Sequence, residues 1–107
     1  MSVNAIIEQA LEPLGVPIEL HSYDGDAPTY ITYFEYNQRS ALNGDDEELQ
    51  TSYSYQVDVW SKGDYTELVN QVKDLLKEVG FTRVSEHGNY NEITKIYQKA
   101  ISFNIVL

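Results

Sequence analysis

The side chains that could carry out acid–base or metal chemistry are two histidines and seventeen carboxylates, in 107 residues without cysteine. His21 and His87 lie in different segments, and neither belongs to a recognised catalytic motif. Nothing in the sequence singles out two carboxylates as the acid and base of a glycosidase. The lack of cysteine excludes thiolate nucleophiles, disulfides and Cys-ligated metal sites. We therefore expect that the protein is not an enzyme.

Two short acidic stretches are the remaining candidates for a metal site. Asp24 and Asp26 flank Gly25, and a run of four acids follows Asn43 and Gly44. Calcium takes several oxygen ligands at short range, but neither stretch has the alternate ligands and closing glutamate of an EF-hand. Turn formation explains the first stretch, and solvation of a polar segment explains the second. We predict no metal and no cofactor.

The charge balance restricts the possible partners. Seventeen acidic and seven basic residues give a net charge of −10, which opposes attraction to phosphate backbones and anionic membranes. The N-terminal stretch MSVNAIIEQALEPLG has no basic region and is interrupted by acids, so it predicts neither a signal peptide nor a membrane span. We expect an intracellular protein that binds neither nucleic acid nor membrane directly.

The pattern of apolar residues predicts two helices and five strands. Helical spacing indicates a first helix at about residues 2–14 and a second from Asp64 to Gly80. The strands are predicted at 18–23, 29–37, 51–61, 81–85 and 93–107. The order α-β-β-β-α-β-β predicts one α+β domain over residues 1–107, with both helices packed on a mostly antiparallel sheet. Residues 38–50 are predicted to form a flexible acidic loop that projects from this domain.

The third predicted strand carries the only tryptophan of the chain. Its apolar and aromatic residues from Tyr53 to Val59 alternate with a second set, Gln56, Asp58 and Trp60. Because successive side chains of a strand point to opposite faces, the first set predicts the core side and the second the outward side. There, Trp60 is covered either by a helix or by a neighbouring subunit, since tryptophan is enriched where proteins meet.

The order and spacing of these segments resemble a known family. They are a helix that ends in LGVPI, the strand APTYITYFEYNQ, a long acidic segment, the strand YSYQVDVWSK, the helix DYTELVNQVKDLLKEVGF and the closing strand NEITKIYQKAISFNI. Together they resemble the small tail-terminator, or tail-completion, proteins of long-tailed phages and prophages. The resemblance extends from about Ile6 to Ile105, and its most specific part is QVDVWSK with the helix that follows it.

The resemblance implies a structural protein that assembles as a ring, commonly a hexamer, on the head-proximal end of the tail tube. Such a ring stops tube polymerisation and presents the surface that joins the head. Its partners would be other copies of itself, the tail-tube protein and a head-completion or connector protein. It would be assembled in the host cytoplasm and then reside at the head–tail junction of the virion. The candidate interface residues are Gln56, Asp58, Trp60, Asn43, Asp45, Asp46, Glu47 and Glu48.

Two other functions remain open from the sequence. Small acidic α/β proteins also occur elsewhere in the phage neck, so a head-closure or minor capsid role is an alternative. A chain this acidic is also compatible with a DNA-mimicking inhibitor that occupies the basic groove of a nuclease. Such an inhibitor should array carboxylates along one continuous face, whereas Asp24, Glu35, Asp58 and Glu78 fall on separate predicted elements.

Overall fold

The computed structural model describes residues 2–44 and 47–107, and for residues 40–44 and 47–49 it describes the backbone alone. Its elements, in chain order, are α1 (Val3–Leu11), a 3₁₀ turn (Glu12–Leu14), β1 (Ile18–Leu20), β2 (Thr29–Gly44), β3 (Glu47–Ser61), α2 (Thr66–Glu78), β4 (Thr82–Asn91) and β5 (Ile96–Val106). The predicted α+β class and the order α-β-β-β-α-β-β are confirmed.

The five strands form one sheet in the order β1-β2-β3-β5-β4, so that β3 is central and β1 and β4 are the edges. β1 runs parallel to β2, and the other neighbouring pairs are antiparallel. β4 is longer than predicted, because it continues through the expected turn to Asn91. Every side chain of β4 is exposed, so no alternation of apolar and polar residues marks it in the sequence. Backbone pairing with β5 forms this strand.

β2 and β3 form a long hairpin, and the prediction of a loop over residues 38–50 is wrong. β2 continues to Gly44, and β3 begins at Glu47. Pairing of the C-terminal strand with β3 ends at Thr51, which exchanges backbone hydrogen bonds with Leu107, so the end of the hairpin extends beyond the rest of the sheet. The molecule accordingly measures 53 × 26 × 23 Å. The segment has few apolar residues because strand pairing, and not burial in a core, forms this part of the hairpin.

Both helices cover the same face of the sheet and contact each other. Their buried residues pack on Val57 and Val59 of β3 and on inward residues of β2 and β5. The register explains why these positions share a face, because Val57 lies between Tyr33 and Ile101 on the neighbouring strands. The buried residues of the helices are Val3, Ile7 and Leu11 in α1 and Val69, Val72 and Leu76 in α2.

Two tyrosines of the sheet hold α1 in place. The Tyr33 hydroxyl donates to the Glu8 carboxylate, and the Tyr55 hydroxyl donates to Asn4 Oδ1 at 2.6 Å. Burial raises the pKa of both tyrosines, and it raises that of Tyr55 to about 12. Both phenols are therefore protonated donors at neutral pH, so they hold the helix as well as fill the core.

The ends of α2 follow from local sequence. Asp64 Oδ1 accepts the backbone amide of Thr66 at 3.0 Å, which satisfies one of the free amides at the helix start. After the helix, Gly80 adopts φ +105°, and the amide of Phe81 then donates to the Leu76 carbonyl at 3.0 Å. The positive φ favours glycine, since other residues rarely adopt this conformation. This turn directs the chain from α2 into β4.

Candidate functional site: the helix-free face of the sheet

The sheet face opposite the helices contains the predicted site residues of β3. Asp58 lies at its centre, between Thr32 of β2 and Ala100 of β5, while Trp60 pairs with Tyr30 and Gln98. Because both helices pack on the other side, no helix covers this face in the described part of the chain. The expectation that a helix covers Trp60 is therefore wrong. We call this surface the helix-free face.

A hydrogen-bonded cluster occupies the centre of the helix-free face. Gln56 Nε2 donates to Asp58 Oδ1 at 2.9 Å, and Gln98 Nε2 donates to the same oxygen at 3.1 Å. Trp60 Nε1 donates to Thr32 Oγ1 at 2.9 Å. We call these five residues the central cluster. It spans β2, β3 and β5, so strand pairing fixes the relative positions of its members.

Asp58 is buried although no helix covers it. Its exposed fraction is 4%, because the neighbouring side chains of the central cluster close around it. Burial raises the pKa of the Asp58 carboxyl, and the hydrogen bonds from Gln56 and Gln98 lower it by a smaller amount. The net effect is a carboxylate with a raised pKa in the middle of a polar surface. At the position of Asp58 a docking partner would meet amide and indole groups and not an exposed charge, whereas the exposed Glu19 of β1 lies farther out on this face, beside Thr32.

Aromatic rings extend the central cluster toward one end of the face. Tyr30 stacks on Trp60 with ring centroids 6.0 Å apart, and Tyr23 packs on Tyr30 at 4.5 Å. Burial raises the pKa of Tyr30, so this phenol stays neutral. Gly25 lies against the Tyr23 ring, where a Cβ would be 2.1 Å from the hydroxyl oxygen. The chain between β1 and β2 can therefore fold closely over this ring stack.

A recess of about 400 Å³ opens beside Trp60. Asparagine and tyrosine side chains of β4 line its far wall, and Gln98 lies in its floor between them and the indole. A larger hollow of about 700 Å³ lies beside α1, away from the central cluster. The recess combines aromatic surface with amide donors and acceptors, which is the composition of surfaces that bind other proteins.

The other candidate interface residues whose backbone is described lie at the far end of the hairpin. Asn43 is the next-to-last residue of β2, and Glu47 and Glu48 begin β3, whereas Asp45 and Asp46 lie outside the described residues. Glu48 precedes Gln56 by eight residues on the same strand, which corresponds to about 26 Å. The structure therefore brings Gln56, Asp58 and Trp60 together but places Asn43, Glu47 and Glu48 far from them along the hairpin.

Three members of this site were missed by sequence reasoning: Tyr30, Thr32 and Gln98. Tyr30 and Thr32 alternate along the predicted strand 29–37, but the sequence pattern does not give their register against Trp60 and Asp58. For Gln98 a signal was present, because β5 alternates the buried Ile101, Phe103 and Ile105 with small or polar residues. That alternation places Gln98 on the face opposite the core.

The described residues give little support for a metal site, a catalytic histidine or a membrane-spanning helix. Within residues 2–44 and 47–107, no group of three or more histidine or acidic side chains is placed to hold a metal ion. His21 lies beside Phe34, with ring centroids 6.3 Å apart, and His87 is exposed on β4. Across the same residues, no helix is both long and apolar enough to cross a membrane.

Comparison with known proteins shows a structural likeness. No protein-family model matches the chain, and no curated protein sequence matches it. The fold is similar to that of a chain in a solved structure of the virion of a native gene transfer agent (GTA) particle. The two chains are 11% identical, superpose with a TM-score of 0.65, and match over 98% of this chain and 93% of that chain. At this identity the likeness shows a shared fold.

Proposed function

We propose that this protein is a structural component of a phage-like particle, and that it caps the head-proximal end of the tail tube as a ring. The observation that carries the proposal is the likeness to a GTA virion chain, which extends over 98% of this chain. The resemblance of its sequence to tail-terminator proteins favours this position within the particle. In this role the ring ends tube polymerisation and forms the surface to which the head is joined.

The helix-free face is the surface that we assign to contact with another protein of the particle. Its central cluster is rigid, because residues of three paired strands supply it, and its one carboxylate is buried. Interfaces are depleted in charge at their centres and enriched in tyrosine and tryptophan, which matches Tyr30, Trp60 and the neighbouring amides. The recess beside Trp60 would accept one or two side chains of the partner.

The proposed role requires no catalytic residue, metal or cofactor. Its partners are other copies of the chain, the tail-tube protein and a head-completion protein, met during assembly in the host cytoplasm. A negative net charge also suits a ring through which DNA passes, because it limits adhesion of the phosphate backbone to the protein.

The test is electron microscopy of particles produced when the gene for this chain is deleted. A tail terminator predicts tails of irregular, excessive length beside separate DNA-filled heads, and restoration of normal particles when the gene is supplied in trans. Tails of normal length with unattached or leaking heads would reject the terminator role in favour of head closure. Intact, infectious particles would contradict any structural role and favour the acidic-inhibitor alternative.

A further inference from the structure

Within the described residues, β4 and the part of β2 beyond β1 have unpaired edges of similar length on opposite sides of the sheet. Along β4, the side away from β5 has no strand partner in the described residues over Thr82–Asn91. On β2, β1 pairs only with residues 31–33, so the outer side of β2 is unpaired over residues 35–44 within the described chain. Over about ten residues, each edge therefore presents its outward-pointing backbone donors and acceptors. These groups can form hydrogen bonds with another strand.

Both edges also carry exposed apolar side chains at bulges. The pairing register shifts around Tyr36 in β2 and around Val84 in β4, and these side chains are 50% and 62% exposed. Leu20 on β1 and Tyr90 on β4 add further apolar surface, each more than two-fifths exposed. Bulges twist an edge and re-aim a side chain, so they restrict which strand can pair there. Such edges favour one specific partner over indiscriminate pairing.

The charge of the chain is distributed unevenly between its two halves. Residues 1–61, which supply β1, β2 and β3, contain eleven of the seventeen acids and one of the seven basic residues. Residues 62–107, which supply α2, β4 and β5, contain six acids and six basic residues. Lys73 of α2 and Arg83 of β4 both form ion pairs with Glu86 of β4, at 3.1 and 3.6 Å. Residues 1–61 are thus strongly acidic, whereas residues 62–107 are balanced.

We propose that the β4 edge of one copy pairs with the outer edge of β2 of the next copy, which continues the sheet from subunit to subunit. β2 and β4 run in opposite directions, because the pairings between β2 and β3, β3 and β5, and β5 and β4 are all antiparallel. A neighbour in the same orientation therefore presents β2 antiparallel to β4, with its helices on the same face. The acidic end of one copy then meets the balanced end of the next copy and not a second acidic end.

This contact is heterologous, so it generates a closed ring when the rotation between copies is suitable. The inference rests on the proposed ring. It assigns the contacts between neighbouring copies of the ring to the strand edges. The helix-free face then remains available for a partner on the tube or the head.

The test is hydrogen–deuterium exchange of the wild-type chain, measured dilute and at a concentration where light scattering detects self-association. Pairing of β4 with β2 predicts slower exchange in peptides covering residues 82–91 and 35–44, since outward amides become hydrogen-bonded. Association that protects only β4 in a two-chain species would overturn the proposal in favour of symmetric β4 pairing. Association without protection of either strand, or no association at any concentration, would also overturn it.

Two matched substitutions provide a second readout. Tyr36→Ser and Val84→Ser should each weaken self-association by roughly tenfold, because each removes an apolar contact at a paired edge. Ile93→Ser is the control, since Ile93 is 93% exposed in the turn after β4 and lies outside the paired residues. Equal effects of all three substitutions would contradict the assigned edges. These readouts are independent of tail length, so the inference can fail while the terminator role stands.

Discussion

Replacing Asp58 tests the interpretation of the central cluster most sharply. Asp58→Ala removes the oxygen that accepts amide bonds from Gln56 at 2.9 Å and Gln98 at 3.1 Å. A hydrogen bond to a charged acceptor contributes about 1.5–3 kcal/mol. Both glutamines are partly exposed and can turn to water, and the variant no longer buries a charge. We therefore expect a net loss of about 1–3 kcal/mol in the free energy of unfolding.

Asp58→Asn separates the acceptor from the charge. Asparagine keeps an oxygen where both amides donate, and it avoids the cost of burying a carboxylate. We expect this variant to be as stable as the wild type, or more stable, at pH 7. Urea unfolding followed by circular dichroism gives both free energies. If Asp58→Asn cost as much as Asp58→Ala, the charge itself would stabilise the fold and our reasoning would be refuted.

The pH dependence of the free energy of unfolding tests independently whether the buried Asp58 charge destabilises the fold. Because the pKa of Asp58 is raised above its usual value of 3.8, the folded chain binds this proton more readily than the unfolded chain. The cost of the buried charge is therefore present above the raised pKa and disappears as the pH falls toward 3.8. The stability advantage of Asp58→Asn should shrink over that window. Comparing the two proteins cancels the opposite contribution of Glu86, whose pKa the neighbouring Lys73 lowers.

Three further substitutions follow from the structure. Trp60→Ala should weaken assembly more than folding, because the monomer loses only a hydrogen bond to Thr32 and a stacking contact with Tyr30. A large fall in the melting temperature of the monomer with assembly unchanged would refute this prediction. Tyr33→Phe should lower the unfolding free energy by about 1–2 kcal/mol, because it removes the bond to Glu8; an unchanged urea midpoint would contradict it. Gly80→Ala should cost about 1–3 kcal/mol because φ is +105°, whereas a neutral thermal melt would disprove the strain.

The sequence predicts the elements whose formation depends on burial. The core-facing residues of β3 are predicted correctly from the sequence, because Tyr55, Val57 and Val59 alternate with polar residues and pack under both helices. The apolar spacing of α2 likewise marks its buried face. Where burial creates a periodic pattern, that pattern can be read without a structure.

The elements that the sequence predicts poorly form by backbone pairing alone. The end of the β2–β3 hairpin and most of β4 have no periodic apolar residues, so a polar strand there looks like a loop. The site was half predictable for a similar reason. Alternation placed Gln56, Asp58 and Trp60 on one face, but only the strand register brings Gln98 and Thr32 to them. Register and strand order depend on the whole sheet, which local patterns do not encode.

The account rests on contact between the helix-free face and another protein of the particle, and Trp60 reports on this face directly. Hydroxyl-radical footprinting with mass spectrometry measures the oxidation rate of this residue in the free chain and in purified tails. Because Trp60 is half-buried in the free chain, we predict measurable oxidation there and a several-fold slower rate in tails, with Tyr30 following it. Equal oxidation rates of Trp60 in the free chain and in tails would contradict the assignment of the helix-free face as an interface.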